Sequence, residues 1–368
     1  MDDKKYKIFV INPGSTSTKL TVFLGEEAVW EKKVFHEASD LAKFPDINAQ
    51  LDYRFEMIRA MLEAEGVDMS SLDAIVGRGG SSYTVEGGVY EINDRLIADT
   101  RDIKGGIEHA SILGVQLAEK FHELYGGLML MLDPIVVDEY CDLARMTGIK
   151  DLYRTPSTHA LNQKGVAMKH AKSLGKKYRD MRLIVAHIDG GITIGAHANG
   201  RMIDCNSGAG GDGPYTPSRI GSIGIVDFIH YARGKDLDEL EHLCNIGGGF
   251  TSLVGTNDAD VVRQRMHDGD KACERAWNGM IYQVNKCIGA MATVLEGKVD
   301  AILLTGGLTR FDDLVDDIRK SCEWIAPITV YVGEVEQEAM ASGALRVLRG
   351  EVVPKVYSGK PVFDGFED

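Results

Sequence analysis

The chain has 368 residues, a hydrophobic content of 44% and a formal net charge of −14 at pH 7. The length predicts about two to three domains, and the balanced composition argues against a disordered or fibrous chain. The acidic charge argues against general nucleic-acid binding, because a phosphate backbone is bound by a basic face. No window of about 18 uncharged apolar residues is present, so no membrane span is expected.

The amino terminus and the cysteines predict a cytoplasmic protein. The start, Met1-Asp2-Asp3-Lys4-Lys5, leads into a strand-like run that ends at Asn12-Pro13-Gly14, which is too short for a signal peptide. Six cysteines in a chain of this length, with no Cys-x-x-Cys, are typical of reduced cytosolic thiols. Ligand pairs at zinc-site spacing are missing, so no zinc site is expected.

The first half predicts strands followed by strands alternating with helices, judged from period-2 and helical apolar spacing. Its predicted elements are strands at Lys7–Asn12, Thr16–Leu24 and Ala28–Phe35, a helix at Leu51–Ala64, a strand at Asp73–Val76, a helix at Ile107–Leu124 and a strand at Leu128–Val137. Buried strands that alternate with helices indicate a sheet covered by helices.

The second half begins again in the same style, with a two-residue hairpin turn at Asn199-Gly200. Its predicted elements are strands at Leu183–Ile188, Ile192–Ala198 and Arg201–Cys205, helices at Leu237–Cys244, Ala259–Met266, Lys271–Leu295 and Asp313–Cys322, strands at Ala301–Thr305 and Ile328–Val332, and a last helix at Glu336–Leu348.

The two halves open on similar turns. Asn12-Pro13-Gly14-Ser15-Thr16 aligns with Asp189-Gly190-Gly191-Ile192-Thr193, and each segment is a strand, a polar turn and a second strand. The offset is about half the chain, which predicts a duplicated α/β domain with a cleft between the halves. We place the boundary near Arg154–His159.

The segment from Asn12 to Lys19 is the most informative. It is a tight hairpin that carries Gly14, Ser15 and Ser17 and is closed by Lys19. Backbone N–H groups and hydroxyls in such a turn can point at phosphate oxygens, and the lysine adds a compact positive charge. An ordinary polar turn explains the segment alone, but the matching turn in the second half favours two hairpins that clamp a polyphosphate. No P-loop motif occurs.

A glycine pair, Gly306-Gly307, follows the predicted strand at Ala301–Thr305. Glycines at this point let the backbone approach a flat ligand such as adenine or ribose. A plain strand-to-helix turn explains the pair equally well.

Six motifs in chain order resemble the acetokinase family, within the superfamily of actin, sugar kinases and chaperone ATPases. They are Asn12–Lys19, Gly77–Gly80, Asp133–Glu139, His187–Gly191, Gly255–Asp258 and Leu304–Gly307. The resemblance implies two ribonuclease-H-like domains, an N-terminal one at residues 1–155, on which the segment 335–368 could pack back, and a nucleotide-binding one at residues 156–334. It implies phosphoryl transfer from ATP to butyrate or a short branched fatty acid, with Mg²⁺, in a dimer or larger homo-oligomer.

The resemblance also implies roles for individual residues. Arg219 would hold the carboxylate and phosphoryl oxygens, His159 would contact the phosphoryl group, and Asp133 would act on the metal or its water. The implied catalytic set is Arg219, His159, Asp133 and Arg78; the nucleotide-binding set is Asn12, Gly14, Ser15, Ser17, Lys19, His187, Asp189, Gly190, Gly191, Gly306 and Gly307; the metal set is Asn12 and Glu336, with Glu338 as the alternative.

This reaction needs no general base, because a fatty carboxylate with a pKa near about 4 is ionised at pH 7. It needs cations and hydrogen-bond donors that bring two anions together. Arg78 directly precedes Gly79-Gly80, and Gly190 stands where acetate-specific members have asparagine, so a butyrate-specific member is favoured. The alternatives are an acetate or propionate kinase, a sugar kinase with an aspartate base, and an actin-like nucleotide switch.

Overall fold

The computed structural model describes residues 4–366. It divides into two units: one contains the chain up to Asp138 together with the chain from Val335 onward, and the other is Glu139–Glu334. Within residues 4–366, no helix combines the length and the apolar character needed to cross a membrane.

Twelve strands are formed by the described residues. In chain order they are β1 (Lys7–Pro13), β2 (Ser17–Leu24), β3 (Glu27–Phe35), β4 (Ala74–Arg78), β5 (Val89–Glu91), β6 (Leu128–Leu132), β7 (Leu183–Ile188), β8 (Ile192–Ala198), β9 (Arg201–Cys205), β10 (Ala301–Gly306), β11 (Ile328–Val332) and β12 (Lys355–Val356).

Thirteen α-helices occur in the same part of the chain. They are α1 (Ala38–Leu41), α2 (Leu51–Ala64), α3 (Asp94–Arg101), α4 (Ile112–Tyr125), α5 (Asp142–Arg145), α6 (Ala160–Ser173), α7 (Ile225–Ala232), α8 (Leu237–His242), α9 (Gly249–Val254), α10 (Ala259–His267), α11 (Lys271–Val294), α12 (Asp312–Cys322) and α13 (Glu336–Leu348).

The first unit is a seven-stranded sheet in the order β12-β5-β6-β4-β1-β2-β3. Strands β1, β2 and β3 form an antiparallel meander, whereas β1, β4 and β6 run parallel. Helices α4 and α13 pack on this sheet, and its core includes fully buried Phe9, Ile75 and Phe121. Burial of such side chains is the main favourable contribution to folding.

One close approach explains the first glycine of the Gly77–Gly80 motif. A Cβ on Gly77 would collide with the main-chain carbonyl of Gly114 in α4, and a Cβ on Gly114 would collide with the main chain of Arg78. Strand β4 and helix α4 therefore pack backbone against backbone, which only glycine allows. This contact sets the depth of α4 beneath Arg78.

The second unit is a five-stranded sheet in the order β11-β10-β7-β8-β9. Strands β7, β8 and β9 repeat the antiparallel meander, and β10 and β11 run parallel to β7. The 24-residue helix α11 buries Trp277, Met280 and Ile288 against the core. Two mixed sheets with packed helices confirm the predicted α/β class, and each carries a hairpin at the turn singled out in the sequence.

Several elements differ from the sequence prediction. The elements that were not predicted are helices α1, α3, α5, α6, α7 and α9 and strands β5 and β12. The strand predicted to reach Val137 ends at Leu132, because Asp133 has a φ of 36° and Pro134 follows, which cannot donate a ladder hydrogen bond. The helix predicted from Ile107 begins at Ile112.

The division between the units falls after Asp138, ahead of the predicted boundary at residue 155. The intervening segment makes its hydrogen bonds with the second unit. The Tyr140 hydroxyl donates to the Cys205 carbonyl over 2.6 Å, and the Cys141 amide donates to the Ile203 carbonyl over 2.9 Å. These bonds attach the segment to β9.

Candidate active site

The β1–β2 hairpin of the first unit carries the first group of predicted residues. Asn12 pairs with Lys19 across the two strands, and the Gly14 amide donates to the Ser17 carbonyl over 2.7 Å. Ser15 lies exposed at the tip, whereas Asn12 is buried. The turn therefore presents hydroxyl and amide groups at an open end, as a phosphate-binding hairpin requires.

Arg54, which the sequence did not suggest, supports this hairpin from beneath. Its guanidinium is 1% exposed and donates to the carbonyls of Gly14 and Ser15 over 2.8 and 2.9 Å. It also donates to the Gln50 side chain, and burial lowers the pKa of Arg54 to about 10. Within residues 4–366 it has no carboxylate partner, so a buried positive charge lies directly behind the turn.

Arg78, Asn12 and Glu336 form a buried cluster. The Asn12 amide nitrogen donates to Glu336 Oε2 over 2.7 Å, and Arg78 donates to the same oxygen over 2.9 Å and to Asn12 Oδ1 over 3.0 Å. Glu336 is 3% exposed, and it begins α13, at the far end of the chain from β1. Three predicted residues are thereby brought together: Asn12 and Glu336 from the predicted metal set and Arg78 from the predicted catalytic set.

One oxygen of the cluster lacks a hydrogen-bond partner among the described residues. Glu336 Oε1 is buried and has no hydrogen-bond partner within residues 4–366. An unpaired buried carboxylate oxygen is costly unless a ligand satisfies it, and oxygen is the donor that Mg²⁺ prefers. The Asn12 carbonyl oxygen accepts from Arg78 but keeps a second lone pair. Glu338, the alternative, is exposed on the next part of α13.

Asp133 lies at the end of β6 in the same unit. It is 2% exposed, and its Oδ1 accepts a hydrogen bond from the Gly88 amide over 2.7 Å. Its positive φ turns the chain sharply out of the sheet, and an unusual backbone angle at a non-glycine residue is a common feature of functional sites.

The second hairpin turn is joined to the end of β10. Asp189 accepts from the Gly190 amide over 2.8 Å and from the Gly307 amide over 2.7 Å. Gly306 has a φ of 96°, and a Cβ there would collide with the Ile188 carbonyl. The glycine pair is therefore required by close backbone packing. The Gly307–Asp189 hydrogen bond joins the predicted nucleotide residues at the end of β10 to those of the β7–β8 turn within the second unit.

Gly191 brings His159 and Arg219 together. A Cβ on Gly191 would collide with Arg219 Nη1 and would lie 2.9 Å from His159 Cε1. Arg219 donates to the Gly208 carbonyl over 2.5 Å and has no acidic partner within residues 4–366. Burial lowers the pKa of its guanidinium. A half-buried cation without a carboxylate is suited to binding an anion.

His159 and His187 stack on each other. Their ring centroids are 3.9 Å apart and the planes differ by 16°. The His159 Nδ1 atom lies 2.9 Å from the Thr193 hydroxyl, and the His187 Nδ1 atom lies 2.8 Å from the Asn162 amide nitrogen. Each ring is thus oriented by a hydrogen bond at its Nδ1 atom.

A second group of potential metal ligands lies at the same turn. One ligating atom each of His187, Asp189 and Glu334 lies within 4.8 Å of the other two. Each oxygen of Asp189 already accepts one main-chain amide and keeps a second lone pair.

Arg154 does not join this site. It donates to Asp204 over 2.8 Å and to the carbonyls of Ala144 and Cys205, so it anchors the segment before α6. Nearby, Lys164 forms a buried ion pair of 2.6 Å with Glu139. The Arg154–Asp204 and Lys164–Glu139 pairs are structural, because each cation already has a carboxylate partner.

Known proteins resemble this chain over most of its length. The sequence profile of the acetokinase family matches residues 147–341. Two proteins described as "Probable butyrate kinase" from Clostridium botulinum, strains Alaska E43 and Eklund 17B, are each 42% identical over 356 residues, which cover 96% of this chain and 99% of the relative.

Solved structures show the same fold. An acetate kinase from Porphyromonas gingivalis superposes with a TM-score of 0.75 at 18% identity, covering 94% of this chain and all of that one. A propionate kinase from Francisella tularensis gives a TM-score of 0.73 at 18% identity, covering 92% and 98%.

The fold is therefore that of the carboxylate kinases among the actin-like ATPases. The chain belongs to the acetokinase family, and it is a phosphotransferase with a carboxyl group as acceptor. The resemblance, fold class and enzyme class predicted from the sequence are confirmed.

Proposed function

We propose that this chain transfers the γ-phosphoryl group of ATP, reversibly and in line, to butyrate or a short branched fatty acid. The products are an acyl phosphate and ADP. The observation that carries the proposal is the convergence of His159 and Arg219 on Gly191, where Arg219 has no acidic partner within residues 4–366. The chain is also 42% identical to a protein described as "Probable butyrate kinase".

The second unit supports the chemistry of phosphoryl transfer. The transferring group spreads negative charge over its oxygens, and fixed donors stabilise that charge. Arg219 offers a planar set of N–H donors, and His159 and His187 lie stacked beside it. The attacking carboxylate is already ionised, so these residues neutralise and align anions and do not remove a proton.

The first unit supports a role in binding the nucleotide and its cation. Glu336 Oε1 and the Asn12 carbonyl are the oxygens that would hold Mg²⁺, whose charge would offset that of the phosphates. Arg78 fixes both side chains through the bonds given above. The Ser15 and Ser17 hydroxyls and Lys19 would bind phosphate oxygens at the hairpin, as the resemblance implies.

The test is ATP-dependent acyl phosphate formation, trapped with hydroxylamine, with acetate, propionate, butyrate, isobutyrate and valerate in parallel. A maximum at butyrate or isobutyrate is expected, with overlap among neighbours, because one methylene changes binding by only about 1–3 kcal/mol. A maximum at acetate would overturn the substrate assignment but retain the chemistry. Tight ATP binding with no product from any acid would favour a nucleotide switch.

Arg219→Ala tests the proposed catalytic role. It should lower kcat about 100-fold or more and leave the KM for ATP nearly unchanged, because its contacts strengthen in the transition state. Arg275→Ala, an exposed arginine on α11, is the matched control and should behave as wild type. A normal kcat in the Arg219 variant would refute the assignment.

We also propose a cytoplasmic homo-oligomer. All six cysteines are free thiols in the structure, as in proteins of reducing compartments. Exposed apolar side chains on and beside α7, among them Ile225 and Leu237, are typical of a surface covered by another subunit. Sedimentation velocity at micromolar concentration tests this, and a monomer would contradict it.

A further inference from the structure

We propose that Asn162 and Gln163 are positioning residues that hold His159 and His187 in the same neutral tautomer, with the proton on Nε2. This inference rests on the proposed function, because it assigns to the two histidines the task of donating hydrogen bonds to an anion. The two residues are consecutive on α6, and both are fully buried.

The orientation of the Gln163 amide is set by a main-chain carbonyl. Its Nε2 atom donates to the Thr193 carbonyl over 3.2 Å and to the Thr193 hydroxyl over 2.8 Å. A carbonyl can only accept, so the NH₂ group must face Thr193. The Gln163 Oε1 atom then points the other way, 3.0 Å from His197 Nε2.

His197 supports that orientation from behind. Its ring is fully buried, and burial lowers the pKa of His197 to about 3, so the ring is neutral. Because Gln163 Oε1 only accepts, the His197 proton lies on Nε2. The remaining nitrogen, Nδ1, accepts from the Tyr178 hydroxyl over 2.7 Å. Each hydrogen bond from Tyr178 through His197 to Gln163 therefore has a single possible direction.

The Thr193 hydroxyl connects Gln163 to His159 and determines which nitrogen of His159 carries the proton. Its oxygen accepts from Gln163, and its other hydrogen-bond partner is His159 Nδ1 at 2.9 Å. If His159 Nδ1 carried the proton, the Thr193 hydroxyl, which is 0% exposed, would lack an acceptor at a cost of about 1–3 kcal/mol. The hydroxyl therefore donates to Nδ1, and the His159 proton lies on Nε2.

A separate set of bonds gives His187 the same tautomer. The Thr305 hydroxyl donates to the Gly333 carbonyl over 2.7 Å, so its oxygen accepts from the Asn162 amide nitrogen over 3.1 Å. The same Asn162 NH₂ group lies 2.8 Å from His187 Nδ1, which is within hydrogen-bond distance. Nδ1 therefore accepts, and Nε2 carries the proton.

Two consequences follow for the site. The stacked rings, with centroids 3.9 Å apart, are both neutral donors, which avoids the repulsion of two imidazolium ions at that distance. His187 then has no lone pair left for a metal ion, since Nδ1 accepts from Asn162 and Nε2 is protonated. This tautomer therefore removes His187 from the possible metal ligands at the turn and leaves only Asp189 and Glu334 of that group.

The direct test is the ¹⁵N NMR spectrum of the imidazole nitrogens in the full-length protein, labelled at its ten histidines. The signals of His159 and His187 would be assigned by loss in His159→Gln and His187→Gln. Both should show a protonated Nε2 and a bare Nδ1 at pH 7.5. A protonated Nδ1 on either ring would overturn the proposal for that residue, whatever the activity.

Gln163→Met tests the positioning role, because methionine keeps the volume but removes the donor. We expect His159 to become a mixture of tautomers, with His187 unchanged, and kcat to fall about 10- to 100-fold, less than the roughly 10⁴-fold loss known for a histidine forced into the wrong tautomer. Gln116→Met, a buried glutamine of the first unit that also donates two hydrogen bonds, is the control for stability loss alone.

A double variant separates this proposal from the proposed function. Gln163→Met should have no further effect on kcat in a His159→Ala background, because it acts through His159. If His159→Ala alone leaves kcat unchanged, the catalytic role of His159 fails while the NMR result still decides the tautomer. An unchanged His159 spectrum in folded Gln163→Met would refute the positioning role.

Discussion

Replacing Arg54 with methionine should loosen the β1–β2 hairpin without replacing any residue that is itself expected to contact substrate. The guanidinium lies beneath the turn and donates to the Gly14 and Ser15 carbonyls. Methionine fills much of the same volume but donates nothing, so both carbonyls must find water or remain unpaired.

The size of the effect follows from those two bonds. A hydrogen bond from a charged donor contributes about 1.5–3 kcal/mol, and the exposed position of Ser15 lets water replace part of that. We therefore expect a loss of about 2–4 kcal/mol. For a unit of about 170 residues, this corresponds to a fall in Tm of roughly 5–15 °C.

The assay is thermal unfolding together with the KM for ATP, which should rise because a mobile turn holds phosphate less well and the buried positive charge is lost. Arg59→Met is the matched control on the same helix. The Arg59 side chain is 40% exposed and, within residues 4–366, forms ion pairs with the exposed Glu56 and Glu63, so its effect should stay within about 0.5 kcal/mol. If both variants had the same Tm and KM, the supporting role of Arg54 would be refuted.

Three further predictions concern stability. Gly77→Ala should abolish or strongly reduce soluble protein, because its Cβ meets main-chain atoms. Gly289→Ala, on a helix face with open space, should instead raise the free energy of unfolding by up to about 1 kcal/mol. Equal effects of the two substitutions in a denaturation curve would contradict this. Lys164→Met should cost about 3–5 kcal/mol, because the buried Glu139 carboxylate loses its cation and, among the described residues, keeps only the hydrogen bond from the Met202 amide. Adding Glu139→Gln should restore part of the loss, and a single variant as stable as wild type would refute the prediction. Stability should fall as pH drops from about 6.5 towards about 3, since the unfolded state protonates His197 first and the slope reaches about 1.4 kcal/mol per pH unit; the slope should be smaller in His197→Gln, and an unchanged slope would exclude this histidine.

The turns were predictable because their chemistry is local. The hairpins at Asn12–Lys19 and Asp189–Thr193 are announced by Gly, Pro and hydroxyl residues between alternating apolar runs, and the structure has strands on both sides of each turn. The glycine pair at Gly306-Gly307 was equally visible, although its packing against Ile188 was not.

Helix α6 was not predicted because polar residues interrupt its buried face. Asn162, Gln163 and Lys164 are buried together with Leu161 and Val166, and they mask the apolar period by which a helix is recognised. The partners that justify such burial, Thr193, Thr305 and Glu139, lie on distant parts of the chain. Arg54 was missed for a similar reason. In the sequence it is one of several charged residues on an amphipathic helix, and its partners, the carbonyls of Gly14 and Ser15, are about 40 positions away.

The first unit is completed only by the end of the chain, and this orders its assembly during translation. Asn12 and Glu336 are 324 positions apart, and a ribosome adding roughly 5–20 residues per second separates their synthesis by about 15–65 s. The second unit is continuous and can fold in that interval. Asn12 and Arg78 can form their hydrogen bonds to Glu336 only after α13 has been synthesised. An enzyme truncated before α13 would therefore have a complete second unit but an incompletely folded first unit.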